Sequence, residues 1–200
     1  RLEIIGTTKN NSVVILDYAH TPEALKTCIE NVKEQFSLRK VNIVFGCGGE
    51  RDKEKRPIMG KIANKLCNYI YLTDDNPRNE NPENIRASIK KSILPSRMIE
   101  IPSRKLAIEK AILNSKSDEV LVIAGKGHEN TQEYIKKNKF SDKDNIRKSI
   151  ILKNRFLSND WKLNILKEII NNKKLDRIKN LKISTNSKKH NKGKIFLGIK

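Results

Sequence analysis

The chain has 200 residues, 42 Lys and Arg against 23 Asp and Glu, and a formal net charge of +19, a length sufficient to bury a sizeable core. Its three cysteines form no Cys-x-x-Cys pair, which argues against a disulfide framework and fits a reducing cytoplasm; no apolar run approaches the roughly 18 residues that a membrane span needs. The charge alone would suit nucleic acid, yet it is spread with little aromatic interleaving and thickens in residues 151–200, which hold 14 Lys and Arg against 3 Asp and Glu. A generic solvated basic surface is therefore expected, with attraction of anionic nucleotide substrates as the alternative, and no nucleic-acid partner.

Short β-branched and aromatic runs at 13–16, 41–45, 68–72, 97–101 and 119–123 read as strands. They alternate with helical patterns at 22–36, 55–67, 82–93 and 103–114, so the fold class expected is α/β, a mainly parallel open sheet with helices on both faces. Two helix starts are marked by a first-turn proline, Thr21-Pro22 and Asn81-Pro82-Glu83. After the fifth strand, 134–140 reads as a small hairpin turning at Lys137-Asn138. Ser141-Asp142-Lys143-Asp144 then caps a last helix through about Leu152.

Four polar or Gly-rich turns follow four of these strands: Asp17-Tyr18-Ala19-His20, Gly46-Cys47-Gly48-Gly49-Glu50-Arg51-Asp52, Thr73-Asp74-Asp75-Asn76-Pro77-Arg78, and Gly125-Lys126-Gly127-His128-Glu129. Carboxyl ends of strands are where an open α/β sheet collects ligands. The third turn sets carboxylates, an amide and a guanidinium side by side. Pro77 fixes its own φ and steers Asn76 from the helical region, so Arg78 projects from a rigid turn. Arg grips a carboxylate through two parallel hydrogen bonds, and an Asp on the same turn suits an ammonium. The combination suits a zwitterion; a plain Asx turn with a solvated Arg is the simpler alternative. Cys28 and Cys67 lie in helical patterns as core fillers, and Cys47 reads as a small residue packed under its turn. His128 reads as a turn-stabilising residue, and Lys126 is left without a role.

In this order and spacing the four turns resemble the C-terminal domain of the Mur ligases, specifically of those that add meso-diaminopimelate to UDP-N-acetylmuramoyl-L-alanyl-D-glutamate. The resemblance covers about residues 1–150, with a domain expected over 1–154. It implies amide formation driven by ATP through an acyl phosphate. By the same resemblance Arg51, Asp75, Asn76, Pro77, Arg78, Gly125 and Glu129 contact diaminopimelate, while Arg1, Asp17 and His20 serve the nucleotide. No G-x-x-x-x-G-K-[ST] loop occurs in the chain. The resemblance therefore places the ATP phosphates and Mg²⁺ mainly in a central domain before Arg1, no catalytic or metal-binding residue is assigned here, and the fragment alone is expected to be inactive. The implied partners are meso-diaminopimelate, the UDP-N-acetylmuramoyl-dipeptide and ATP.

Arg1-Leu2-Glu3 resembles the hinge by which such ligases enter their last domain, and the chain reads as a piece of a longer polypeptide. Residues 155–200 read as a linker helix, Trp161–Ile170, followed by the truncated start of a second Mur ligase's N-terminal domain. There, Leu181 to Phe196 resembles the opening of the D-alanyl-D-alanine-adding members, with Asn186 and Lys188 departing from the usual Asp and Arg. A disordered basic tail is the alternative. Rival functions are a lysine-adding Mur ligase, a folylpolyglutamate synthase-like ligase, and a non-catalytic basic binding module.

Overall fold

Alternation of buried side chains along each strand decides the architecture. In the computed structural model, which describes residues 2–157 and the backbone of Lys182–Ser184 and Lys194–Phe196, the elements run β1 (Glu3–Thr7), β2 (Val13–Asp17), α1 (Pro22–Gln35), β3 (Lys40–Phe45), α2 (Lys55–Leu66), β4 (Tyr69–Leu72), α3 (Pro82–Lys90), β5 (Met98–Glu100), α4 (Arg104–Asn114), β6 (Glu119–Ala124), β7 (Thr131–Glu133), β8 (Lys137–Lys139), α5 (Asp142–Leu157), β9 (Lys182–Ser184) and β10 (Lys194–Phe196). Val13, Ile15, Ile43, Phe45, Ile70, Leu72, Val120 and Val122 point to one side and pack on Leu25, Ile29 and Val32 of α1, Met59 and Ala63 of α2, and Ile85 and Ile89 of α3. The intervening Val14, Leu16, Val44, Tyr71, Leu121 and Ile123 point to the other side, against Ala107, Ile108, Ala111 and Ile112 of α4 and Ile146 of α5. With both faces covered, the strands are apolar nearly throughout, as parallel strands must be. Each fully buried aliphatic side chain contributes about 1.5–3 kcal/mol relative to exposure.

The six-stranded sheet has the order β1-β2-β6-β3-β4-β5. Strands β2, β6, β3, β4 and β5 are parallel, and β1 is an antiparallel edge on β2 with a register shift between Ile4 and Gly6. The α/β expectation holds, with one strand more than anticipated. β1 begins at Glu3, the last residue of the expected hinge; it is joined to β2 by a turn in which Asn11 has a φ of 67° and the Thr8 amide donates to the Ser12 carbonyl at 2.9 Å. Asn and Asp tolerate that left-handed conformation better than other residues with a Cβ.

Helix starts follow their caps. Thr21 Oγ1 accepts from the Ala24 amide at 3.3 Å and Asn81 Oδ1 from the Glu83 amide at 2.8 Å, each just before its proline. Asp52 Oδ1 accepts from the Glu54 amide at 2.8 Å ahead of α2, and Ser141 Oγ from the Asp144 amide at 3.2 Å at the start of α5. The hairpin is real but displaced. Lys137 and Asn138 lie inside β8, paired with Glu133 and Gln132, and the tip is Tyr134-Ile135-Lys136. Its direction is set by Gln132, whose amide reaches back to the Asp75 carbonyl at 2.8 Å, so register follows that anchor and not the polar dipeptide.

The chain divides into two compact units, Arg1–Lys153 and Asn154–Lys200. In the second, β9 and β10 pair in parallel. The expected linker helix at Trp161–Ile170 and the motif positions Asn186 and Lys188 lie outside the described residues, as does Arg1.

Candidate functional site

Strand order brings the four turns together. The consecutive strands β2 and β3 stand on either side of β6, with β4 beyond β3, so the turns after β2, β6, β3 and β4 open side by side where the direction of winding changes. They line a cavity of about 540 Å³ to which His20, Arg51, Asp75, Asn76, Arg78, Gly125 and Glu129 contribute. Seven of the ten residues singled out from sequence therefore share one cavity; Pro77 and Asp17 do not line it, and Arg1 lies outside the described residues.

The turn after β4 is fixed from several sides. Asp74 is paired with the Arg86 guanidinium and accepts from Tyr134 Oη at 3.0 Å, and the Asn76 carbonyl accepts the Gly49 amide at 2.9 Å. Gly49 has no alternative residue here, because a Cβ on it would stand 1.9 Å from the Pro77 carbonyl oxygen. The turn closes from Pro77 to Glu80, whose amide donates to the Pro77 carbonyl at 3.1 Å, so Arg78 is itself a turn residue and less free than its sequence suggests. It adopts a φ of 57°, a conformation that costs a residue with a Cβ about 1–2 kcal/mol. Its Nη1 donates to the Gly49 carbonyl at 2.7 Å and its Nε lies 3.3 Å from Glu133 Oε2. Arg78 thus ties its own turn to the Gly-rich turn after β3 and to β7, and it lines the cavity.

Asp75 forms part of the floor and is 8% exposed. One oxygen rests against the Cα of Gly125, where a Cβ would come within 2.6 Å of it, and Gly125 has a φ of 114° that favours glycine. Burial raises the Asp75 carboxyl above its usual range, while the cations Arg104 and Lys126 oppose that rise. Arg104 Nη1 is 3.9 Å from Asp75 Oδ2.

Beside it, Lys126, fully buried, donates from Nζ to Asn76 Oδ1 at 2.7 Å and to Glu129 Oε2 at 2.8 Å, and Asn76 Nδ2 donates to the same Glu129 oxygen at 3.0 Å. The Glu133 amide completes Asn76 Oδ1 at 3.0 Å, which assigns the amide orientation. Burial works to raise the Glu129 carboxyl, but the hydrogen bonds from Lys126 and Asn76 outweigh it and hold the group below its usual value. Glu129 thus stays ionised, with Oε2 accepting both bonds, and it lines the cavity.

Arg51 is exposed at the rim. The ion pairs that could have claimed it are taken elsewhere: Glu50 accepts from Asn79 and Asp52 caps α2. His20 also lines the rim, its Nδ1 2.9 Å from the Tyr18 carbonyl and its ring edge-on to Tyr18. Asp17 is turned inward, its Oδ1 accepting from the Ala19 amide at 2.8 Å, so it shapes the turn that carries His20. His128 stands outside the cavity with its side chain 76% exposed, 3.8 Å from Glu3. Cys47 packs on Met59, and burial pushes its thiol up to about 12, which leaves no thiolate near neutral pH. Among the described residues no group of three or more His, Cys, Asp and Glu is placed to hold a metal; with no phosphate-binding loop in the chain, these residues do not fit a Mg²⁺–phosphate cradle. Sequence reasoning left Lys126 unassigned and missed Arg104, Asp142 and Gln132. These reach their partners over sequence separations of 20 to 57, and no local pattern marks them.

Residues 1–127 match the family described as "Mur ligase, glutamate ligase domain". The chain is 48% identical over 133 residues to UDP-N-acetylmuramoyl-L-alanyl-D-glutamate–2,6-diaminopimelate ligase 1 of Clostridium acetobutylicum, an alignment that covers 66% of this chain and 27% of that protein. It is 46% identical over 159 residues to the ligase of the same name from Rickettsia felis, covering 78% of this chain and 29% of the relative. A solved structure of a UDP-N-acetylmuramoyl-L-alanyl-D-glutamate–2,6-diaminopimelate ligase superposes with a TM-score of 0.71 at 40% identity, over 76% of this chain and 31% of that one. The UDP-N-acetylmuramate–alanine ligase of Thermotoga maritima shares the fold alone, at a TM-score of 0.52 and 18% identity, over 78% of this chain and 30% of that one. The chain spans about three-tenths of the length of the curated relatives it matches.

Proposed function

Because the chain belongs to the Mur ligase family, through its glutamate ligase domain, we propose that it is the amino-acid-binding part of an ATP-dependent ligase that adds meso-diaminopimelate to UDP-N-acetylmuramoyl-L-alanyl-D-glutamate in the cytoplasm. The observation that carries this reading is the interleaving of charge around one cavity: Arg51 and Arg78 as cations, Asp75 and Glu129 as anions. A ligand with two carboxylates and two ammonium groups needs that alternation. Lysine, which lacks the distal carboxylate, would leave the Arg78 guanidinium unanswered, and a site built for a charged partner discriminates against a ligand lacking it.

In the reaction, the γ-phosphoryl group of ATP passes to the D-glutamate γ-carboxylate. The amino acid's neutral amine then attacks that carbonyl carbon and forms the C–N bond, the acyl C–O bond breaks with its electron pair and oxygen leaving as inorganic phosphate, and the nitrogen releases its extra proton to solvent. The residues of this chain act by placement. Arg78, anchored on the Gly49 carbonyl and Glu133, takes the distal carboxylate; Asp75 and Glu129 take the distal ammonium; and Arg51 at the rim takes the other carboxylate, leaving the attacking amine turned toward the acyl phosphate. Asn76, whose amide is held by Lys126, Glu129 and the Glu133 backbone, is the rigid divider between these groups. His20, on the turn shaped by Asp17, faces the nucleotide. Mg²⁺, bound elsewhere in the ligase, would supply charge neutralisation for the phosphates. Such positioning converts an intermolecular attack into a local one.

The test is an assay of the intact ligase with ATP, the UDP-muramoyl-dipeptide, and either meso-diaminopimelate or L-lysine. Strong preference for diaminopimelate is expected, and equal turnover of the two would sink the assignment. Tight, sequence-dependent binding of DNA by the chain at about 150 mM salt, where a purely electrostatic affinity is largely lost, would instead favour the basic-module reading.

A further inference from the structure

Arg104 opens α4 and is fully enclosed, 1% exposed. Its Nε donates to Asp142 Oδ1 at 2.8 Å and its Nη2 to Asp142 Oδ2 at 2.6 Å, with a second bond from Nη2 to the Ala124 carbonyl at 2.9 Å. That two-pronged grip fixes the plane of the guanidinium. Nη1 is left buried without a hydrogen-bond partner among the described residues, 3.9 Å from Asp75 Oδ2.

A buried Arg–Asp pair is weak evidence for stability, since apolar residues of equal volume often serve as well. The charge has another use here. At 3.9 Å the contact is too long for a hydrogen bond, yet close enough to act on the Asp75 charge through a medium of low dielectric. The Asp75 carboxylate accepts no hydrogen bond from the described residues, so its lone pairs remain available to the cavity.

We propose that Arg104 is a positioning residue for amino-acid binding: clamped by Asp142 and the Ala124 carbonyl, it holds Asp75 in the charged form at the cavity floor without occupying its lone pairs. This rests on the reading of the cavity as an amino-acid site. The charged and titratable groups facing Asp75 come from four directions, Arg104 on α4, Lys126 and Glu129 after β6, Asp142 on α5 and Cys47 after β3. Burial, Glu129 and Asp142 favour the protonated acid; Arg104, the first of the opposing groups, and Lys126 favour the carboxylate. Removing Arg104 alone would strand Asp142, so the informative variant is the neutral pair Arg104→Gln with Asp142→Asn, which retains the hydrogen-bonding shape.

The experiment follows the Asp75 side-chain carboxyl ¹³C resonance of the 200-residue chain against pH, with and without meso-diaminopimelate. In the double variant its midpoint should rise, though by less than the roughly one to three pH units that loss of an opposite charge alone brings at this range, because the competing Asp142 anion is removed with it. In Asp142→Asn alone, which removes the competing anion and leaves the Asn Oδ1 and the Ala124 carbonyl to hold Arg104, it should fall. An Asp75 midpoint unmoved in a folded double variant, or one that rises in Asp142→Asn, overturns the proposal. In the intact ligase, the acid limb of the KM for diaminopimelate should move upward with the same midpoint, while the KM for ATP stays level; a uniform change in both would mean the pair is merely structural. If the midpoint shifts as expected but meso-diaminopimelate leaves the Asp75 resonance of the unsubstituted chain and of the intact ligase untouched, the amino-acid reading fails while the control of Asp75 by Arg104 stands.

Discussion

Replacing Arg78 by Ala and, separately, by Gly separates its hold on the ligand from its hold on the fold. Both variants lose the hydrogen bond from Nη1 to the Gly49 carbonyl at 2.7 Å and the 3.3 Å contact with Glu133. The first is a charge-assisted bond in a partly buried place, worth about 1.5–3 kcal/mol. The second involves a carboxylate whose side chain is 41% exposed and adds about 0–1 kcal/mol after screening. Arg78→Ala should therefore lower stability by about 2–3 kcal/mol, or about 5–10 °C in Tm for a domain of this size. The backbone distinguishes the second variant. At a φ of 57° Ala keeps the left-handed penalty of about 1–2 kcal/mol, whereas Gly sheds it and loses part of the gain to the greater freedom of its unfolded chain. Arg78→Gly should thus be more stable than Arg78→Ala by about 1 kcal/mol in urea denaturation. Both should raise the KM for diaminopimelate by about one to two decades, the value of one charged pairing, and leave the KM for ATP nearly unchanged. A Gly variant less stable than the Ala variant would refute the strain argument. KM values that track stability and not the missing guanidinium would refute the ligand role.

Gly125→Ala places a methyl group within 2.6 Å of Asp75 Oδ2 at a φ of 114°, so calorimetry should find binding of diaminopimelate lost and unfolding brought to lower temperature; retained affinity would show that Asp75 is not at the floor of the ligand site. Glu80, hydrogen-bonded by the buried Arg56 at 2.7 and 2.8 Å, has its pKa lowered from 4.5 to about 2. A carboxyl depressed on folding contributes stability that is complete above its unfolded value and is lost as pH falls toward its folded one. Acid unfolding between pH 4.5 and about 2 should therefore be less steep in Glu80→Gln, and an identical acid limb in both proteins would remove Glu80 from that account.

How far the site could be read from the chain depended on whether its parts are local. Each of the four turns is continuous in sequence and follows an apolar run, so composition alone placed Arg51, Asp75, Asn76, Arg78, Gly125 and Glu129 at strand ends, and the sheet gathered them. What sequence could not reveal is which charges are consumed by the protein itself. Arg104 looked like an ordinary helix-opening residue, and only its neighbours across 38 positions show it to be enclosed. Lys126 lies between two glycines, a setting that suggests exposure, yet it is buried against Asn76 from another turn. Asp17 went the opposite way, suggesting a ligand contact but serving its own backbone. Edge strand β1 escaped notice because Glu3–Thr7 is short, contains a glycine and is half-exposed, so its pattern carries little period-2 signal.

The position of β6 also bears on how the molecule must be assembled. The last strand of the main sheet to leave the ribosome, Glu119–Ala124, is the one that separates β2 from β3, and until it arrives the earlier strands form two fragments with no shared ladder. Each fragment would carry an apolar, unpaired edge, the kind of surface that recruits other chains. Closing the sheet requires pairings between residues about 80 to 107 positions apart, which slows folding and prolongs that exposure. A nascent chain released before Glu119 should therefore aggregate instead of persisting as a smaller soluble domain, and the ligand cavity, which needs the turn on the far end of that strand, comes into being only with the final insertion.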